Sequence, residues 1–79
     1  KTTEVFLYPN PTKEVLSFRS TTLDLSTPLS YEIYNLSGKR MLNGVLNNQK
    51  VDVQKLSSGV YFVNLSLGDA NQTLKFIKN

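Results

Sequence analysis

Six carboxylates, nine lysine and arginine side chains, and no histidine or cysteine make up the reactive groups of this chain. The carboxylates Glu4, Glu14, Asp24, Glu32, Asp52 and Asp69 are spread singly. A general acid–base pair would have to be assembled by folding, in a chain with little room for a substrate cleft. Serine hydroxyls are plentiful, but a nucleophilic hydroxyl needs a base. Without histidine only a lysine of depressed pKa can serve. Thiolate and imidazole metal ligands are absent altogether. Asp24, Asp52 and Asp69 fall in or near turns, yet no Asp-x-Asp cluster gathers the oxygens that calcium requires. The expectation is a chain that is not an enzyme and takes no cofactor or metal.

Other residues have a binding or modification reading. Asn35-Leu36-Ser37, Asn64-Leu65-Ser66 and Asn71-Gln72-Thr73 match the N-glycan acceptor pattern. An Asn- and Ser-rich β protein produces such triplets by chance, and Asn64 falls inside a strand pattern, so chance is the expectation. Phe6, Tyr8, Tyr34 and Phe62 read either as an exposed patch for sugar or protein, or as ordinary core covered by loops. The core reading is expected. Lys75 and Lys78 read equally well as recognition charges and as edge-strand lysines that discourage sheet-to-sheet aggregation.

The 79 residues suffice for one small domain. Hydrophobic residues at 39% and charged residues at 19% place it among globular rather than disordered chains. The net charge of +3 comes from scattered lysines and arginines with no run or stripe, which argues against a nucleic-acid partner. No apolar stretch approaches the ~20 residues of a transmembrane helix. With neither initiator Met nor signal peptide, the chain reads as part of something longer.

The elements that position these residues are strands. From Gly59 onward, Tyr61, Val63, Leu65 and Leu67 alternate with Val60, Phe62, Asn64 and Ser66, giving one dry face and one mixed face. Leu56-Ser57-Ser58-Gly59 is the turn that feeds this central strand, with Gly59 free to take positive φ. Further strands are expected at Glu4–Tyr8, Glu14–Arg19, Leu29–Tyr34, Arg40–Leu46, Lys50–Gln54 and Gln72–Lys78, with Leu23 and Leu25 on a possible short edge strand. Pro9 and Pro11 stop the first strand, and a turn with Pro11 in second place fits Asn10–Lys13. Gly38 takes the left-handed place of a hairpin loop, Gly44 marks a bulge or bend, and Gly68–Asn71 is a hairpin loop. About seven short strands spaced by roughly ten residues, with no helical periodicity, predict an all-β antiparallel sandwich, immunoglobulin-like in its Greek-key connectivity.

Four segments, taken in order, carry a resemblance. They are Tyr8-Pro9-Asn10-Pro11, Ile33-Tyr34-Asn35-Leu36-Ser37-Gly38-Lys39, Leu56-Ser57-Ser58-Gly59-Val60-Tyr61-Phe62-Val63 and Lys75-Phe76-Ile77-Lys78. Over residues 5–78 the chain resembles the C-terminal sorting domain, type A, of the type IX (Por) secretion system of certain two-membrane bacteria. The resemblance implies a seven-stranded immunoglobulin-like sandwich at residues 4–79, with residues 1–3 a linker stub to an upstream cargo domain. It implies passage through the periplasm and export through the outer membrane to the cell surface or medium. Its implied partners are the type IX translocon, its shuttle proteins and a sortase-like surface protease that removes the domain. Gly59 and Tyr61 match the family's Leu-x-x-Gly-x-Tyr segment, and Lys75, Ile77 and Lys78 its terminal strand, so these five are the recognition candidates. Pro9, Asn10, Pro11 and Gly38 belong to structural motifs. Phe76 departs from the family, where Lys is common, and predicts a less charged, better buried last strand. Backbone pairing along that strand, with Lys75 and Lys78 as flanking charges, is the expected mode of contact. A non-catalytic adhesion or carbohydrate-binding accessory domain is the alternative.

Overall fold

The computed structural model describes residues 5–20, 29–46, 48–67 and 70–79. Among these residues seven strands form: β1 (Val5–Tyr8), β2 (Val15–Ser20), β3 (Ser30–Asn35), β4 (Arg40–Val45), β5 (Lys50–Asp52), β6 (Gly59–Leu67) and β7 (Ala70–Lys78). They divide into two antiparallel sheets, ordered β1-β2-β5 and β4-β3-β6-β7, so the chain changes sheet after β2, after β4 and after β5. No described residue is helical. The expected all-β sandwich is what forms, with boundaries shifted by a residue or two. The linker stub, the possible Leu23–Leu25 strand, and Asp24 and Asp69 lie outside the described residues.

Period-two alternation builds the core. Leu16 and Phe18 of β2, Val51 of β5, Ile33 of β3, Val63 and Leu65 of β6 and Phe76 of β7 are all buried, together with Val53 and Leu56 of the β5–β6 connection. Leu7, Leu29, Tyr31, Leu42 and Leu74 pack against this cluster. The mixed face of β6 points the other way, to the outside of its sheet, as the alternation predicts.

Gly38 sits at φ +86° in the β3–β4 hairpin, where its N–H donates to the Asn35 carbonyl at 3.0 Å. The Asn35 side-chain oxygen accepts from the N–H groups of Ser37 and Lys39 at 2.9 and 3.0 Å. Asn supplies the acceptor and Gly the left-handed turn, a division of labour common in short hairpins. The bulge expected at Gly44 lies elsewhere. Register runs unbroken from Ser30↔Val45 to Ile33↔Leu42, then shifts to Tyr34↔Arg40, leaving Met41 as the extra residue. Gly44 answers a different need: a Cβ there would come within 3.3 Å of the Tyr31 hydroxyl. The Tyr31 ring lies over Gly44, so a side chain there would have to push the ring aside by a few tenths of an ångström; packing rather than a kink favours the small residue.

Candidate recognition surface

Three features bring the singled-out residues together. The first is the corner entering β6. Leu56 is buried, and its N–H donates to the Val53 carbonyl at 3.1 Å. Gly59 adopts φ +154°, a conformation side chains disfavour, and pairs with Lys78 across the β6–β7 ladder. Tyr61 is buried, stacks on Phe76 with ring centroids 5.7 Å apart, and donates its hydroxyl to the Ser57 carbonyl at 2.7 Å. A tyrosine early in a strand, bonded back to the connection that precedes it, is the tyrosine-corner device of β-sandwiches. Leu56, Gly59 and Tyr61 thus fix one corner of the fold, with Leu56 and Tyr61 buried and Gly59 half-buried.

The second is a clasp on the last strand. The Tyr8–Pro9 and Asn10–Pro11 bonds are both cis. The loop they shape lies along the end of β7. The Asn10 side-chain oxygen accepts from the Ile77 N–H at 2.9 Å, across 67 positions of sequence. The Thr12 N–H donates to the Ile77 carbonyl at 2.9 Å, and the Asn79 N–H donates to the Thr12 carbonyl at 2.8 Å. Thr12 and Lys78 thereby form a parallel bridge. Thr12 is itself buried and donates its hydroxyl to the Val15 carbonyl at 2.7 Å. The sequence marked a turn at Asn10–Lys13 but gave no sign of what the turn holds, and it assigned Thr12 no role of its own.

The third is β7 itself. Phe76 is fully buried, as its departure from the family's lysine predicts. Alternation puts Lys78 on the same inner face, and it is 7% exposed, its ammonium donating to the Asn79 main-chain oxygen at 3.1 Å. Lys75 and Ile77 face outward, Ile77 at 40% exposure. Of the two lysines, only Lys75 presents its charge to solvent.

Lys75 ends a row that crosses the whole outer face of the larger sheet. Register places Arg40 beside Tyr34, Tyr34 beside Phe62, and Phe62 beside Lys75. Glu32 accepts from the Tyr34 hydroxyl at 2.8 Å and from the Arg40 guanidinium at 3.0 Å. Those two bonds, Tyr34's first, hold the Glu32 carboxyl below its usual range, and the Tyr34 phenol is raised chiefly by the same contact. The Tyr31 phenol is raised by burial and then by Asp52. Lys75 has no carboxylate partner among the described residues.

Of the four aromatic residues expected to be covered core, Phe6 and Tyr8 are exposed and Tyr34 and Phe62 are partly covered. Phe6 and Tyr8 project from the outer face of the smaller sheet at 46% and 51% exposure. They line a shallow open cleft of about 450 Å³ with Leu7 and with Arg19, the register partner of Phe6. Tyr34 and Phe62 are half-buried on the outer face of the other sheet.

Among the described residues no three His, Cys, Asp or Glu side chains gather. Of the three glycan-type asparagines, Asn35 is committed to its turn, and Asn64 has its side-chain oxygen buried in the sheet. Asn71 is exposed.

A protein-family model described as a secretion system C-terminal sorting domain matches residues 6–79. No curated protein matches the chain.

Proposed function

Because the chain belongs to the family of type IX secretion C-terminal sorting domains, we propose that it is the address of an attached cargo. It crosses the periplasm with that cargo, is read by the translocon and its shuttle proteins, and is then removed by a sortase-like surface protease. The family match over residues 6–79 is the observation that carries this reading. The geometry supports it by what it assembles: a compact β-sandwich with a secured last strand.

The five recognition candidates divide by burial and backbone role, Gly59 half-buried at positive φ, Tyr61 and Lys78 buried, Lys75 and Ile77 exposed. Gly59, Tyr61 and Lys78 act by holding the corner and the final strand in place, and Lys75 and Ile77 are the residues a partner can touch. Removing residues 74–79 to test recognition would also delete the buried Phe76, so loss of export would report unfolding as readily as lost contact. A gain-of-export experiment avoids this ambiguity. Residues 1–79 fused to the C-terminus of a periplasmic reporter should carry it to the surface or medium in cells with the type IX translocon, and not in cells lacking it. A reporter that stays in the periplasm of translocon-bearing cells refutes the reading.

The Phe6–Tyr8–Arg19 cleft favours a second reading, a non-catalytic adhesion or carbohydrate-binding accessory domain. It expects saturable glycan or protein binding that Phe6→Ala and Tyr8→Ala abolish, together with indifference to the domain's place in the polypeptide. A reporter fusion exported only when the domain is placed last excludes it.

A further inference from the structure

The unpaired rim of β7 is unequal along its length. Ile77 turns its N–H and C=O away from β6, and the clasp has already taken both. In an antiparallel ladder these groups alternate in direction from residue to residue, so Lys75, Thr73 and Asn71 face the same rim. Among the described residues no such bond is made to them. Their six main-chain groups line about 14 Å of edge at the strand rise of roughly 3.4 Å per residue.

The other edges are poorer templates. β1 has four residues and runs straight into Pro9, and β5 has three. β4 carries the Met41 bulge, a common protection against strand pairing. β7 is nine residues long with no bulge in its register against β6.

We propose that an extended segment of the secretion machinery adds as a strand to β7 along Asn71, Thr73 and Lys75, with a carboxylate of that segment set against Lys75. The proposal rests on the sorting reading. It places the contact upstream of the tail residues 77–79, which are already engaged within the domain. The carboxylate follows from charge. Lys75 is exposed, its register partner is Phe62, the neighbouring rows hold Asn64 with Thr73 and Val60 with Ile77, and the nearby Glu32 is taken by Tyr34 and Arg40. Main-chain bonds then supply affinity, and the cation selects the partner's sign.

The test uses the reporter fusion carrying the whole chain. Thr73→Pro removes one outward N–H and leaves the β6 ladder intact, because proline is accepted on an edge strand when its nitrogen faces outward. Thr73→Val keeps the N–H. Export of Thr73→Pro should fall about tenfold, while Thr73→Val stays within about twofold of the parent. Equal export of Thr73→Pro and the parent overturns the edge assignment and leaves the sorting reading standing; retention of the unaltered fusion overturns both. If Thr73→Pro is degraded, Lys75→Glu decides: export lost at normal abundance supports the proposal, and normal export overturns it. A photo-crosslinker at position 73 should join the fusion to a component of the machinery. An adduct of two copies of the fusion alone overturns the proposal in favour of self-association.

Discussion

Tyr61→Phe separates a residue that is read from one that holds the fold. The substitution removes one oxygen, and with it the 2.7 Å bond to the Ser57 carbonyl. The ring remains, so its stack on Phe76 at 5.7 Å survives and no cavity opens. A hydrogen bond of this kind contributes a net 0.5–1.5 kcal/mol, roughly. Ser57 is an exposed residue and the bond is only partly buried, so water can stand in for the lost donor. The expected destabilisation is therefore about 1 kcal/mol. At about 2.1 cal/mol/K of unfolding entropy per residue, a 79-residue domain has about 0.17 kcal/mol/K, which converts that loss into a Tm drop of about 6 °C. Far-UV circular dichroism melts of the two proteins measure it, and reporter export is followed in parallel below both melting temperatures. A Tm change smaller than about 1 °C would show that the corner bond does no structural work. Lost export from a variant that still melts like the parent would show that the hydroxyl itself is read, contrary to its assignment here.

Four further outcomes follow from the same geometry. Gly59→Val, forced into φ +154°, should lose about 1–3 kcal/mol and fail in export through misfolding; a normal Tm for this variant would refute the backbone argument. Phe76→Ala empties a fully buried site in the shared core and should cost about 3–5 kcal/mol, enough to leave so small a domain largely unfolded by circular dichroism. Asn10→Ala deprives the Ile77 N–H of its acceptor, and exchange of that amide should quicken several-fold by NMR while amides in the middle of β6 are unchanged. The Glu32 carboxyl is lowered in the folded state, so its contribution is present above its usual 4.5 and vanishes as pH falls through the folded value. The Tm gap between the parent and Glu32→Gln should accordingly be open at neutral pH and close in acid; a gap that is constant with pH contradicts the assignment.

Much of the sandwich was legible because a strand writes its pattern locally. Tyr61, Val63 and Leu65 announce their shared face by spacing alone, and Gly38 and Gly59 announce turns by their lack of a side chain. Gly44 misled because two physical needs, a bulge and room for the Tyr31 ring, call for the same residue. The outward-facing Phe6 and Tyr8 also escaped, since alternation says which residues share a face and not which face is covered. Lys78 is instructive: its parity with Phe76 already put it inside, but its charge drew the reading outward. The clasp left no signal at all. Contacts between residues 10–12 and 77–79 have no period, and only the folded chain brings these segments together.

That seam has a mechanical consequence. A strand at the rim of a sheet ordinarily peels from its free end, and an exopeptidase or an unfolding motor begins where fraying begins. Here the last turn of the ribbon is stitched on both margins, to Gly59 on one and to Thr12 on the other. Tension applied at Asn79 is shared with the opening loop of the domain before any of it reaches the interior. The end of β7 therefore resists peeling at the point where fraying of an edge strand would otherwise begin.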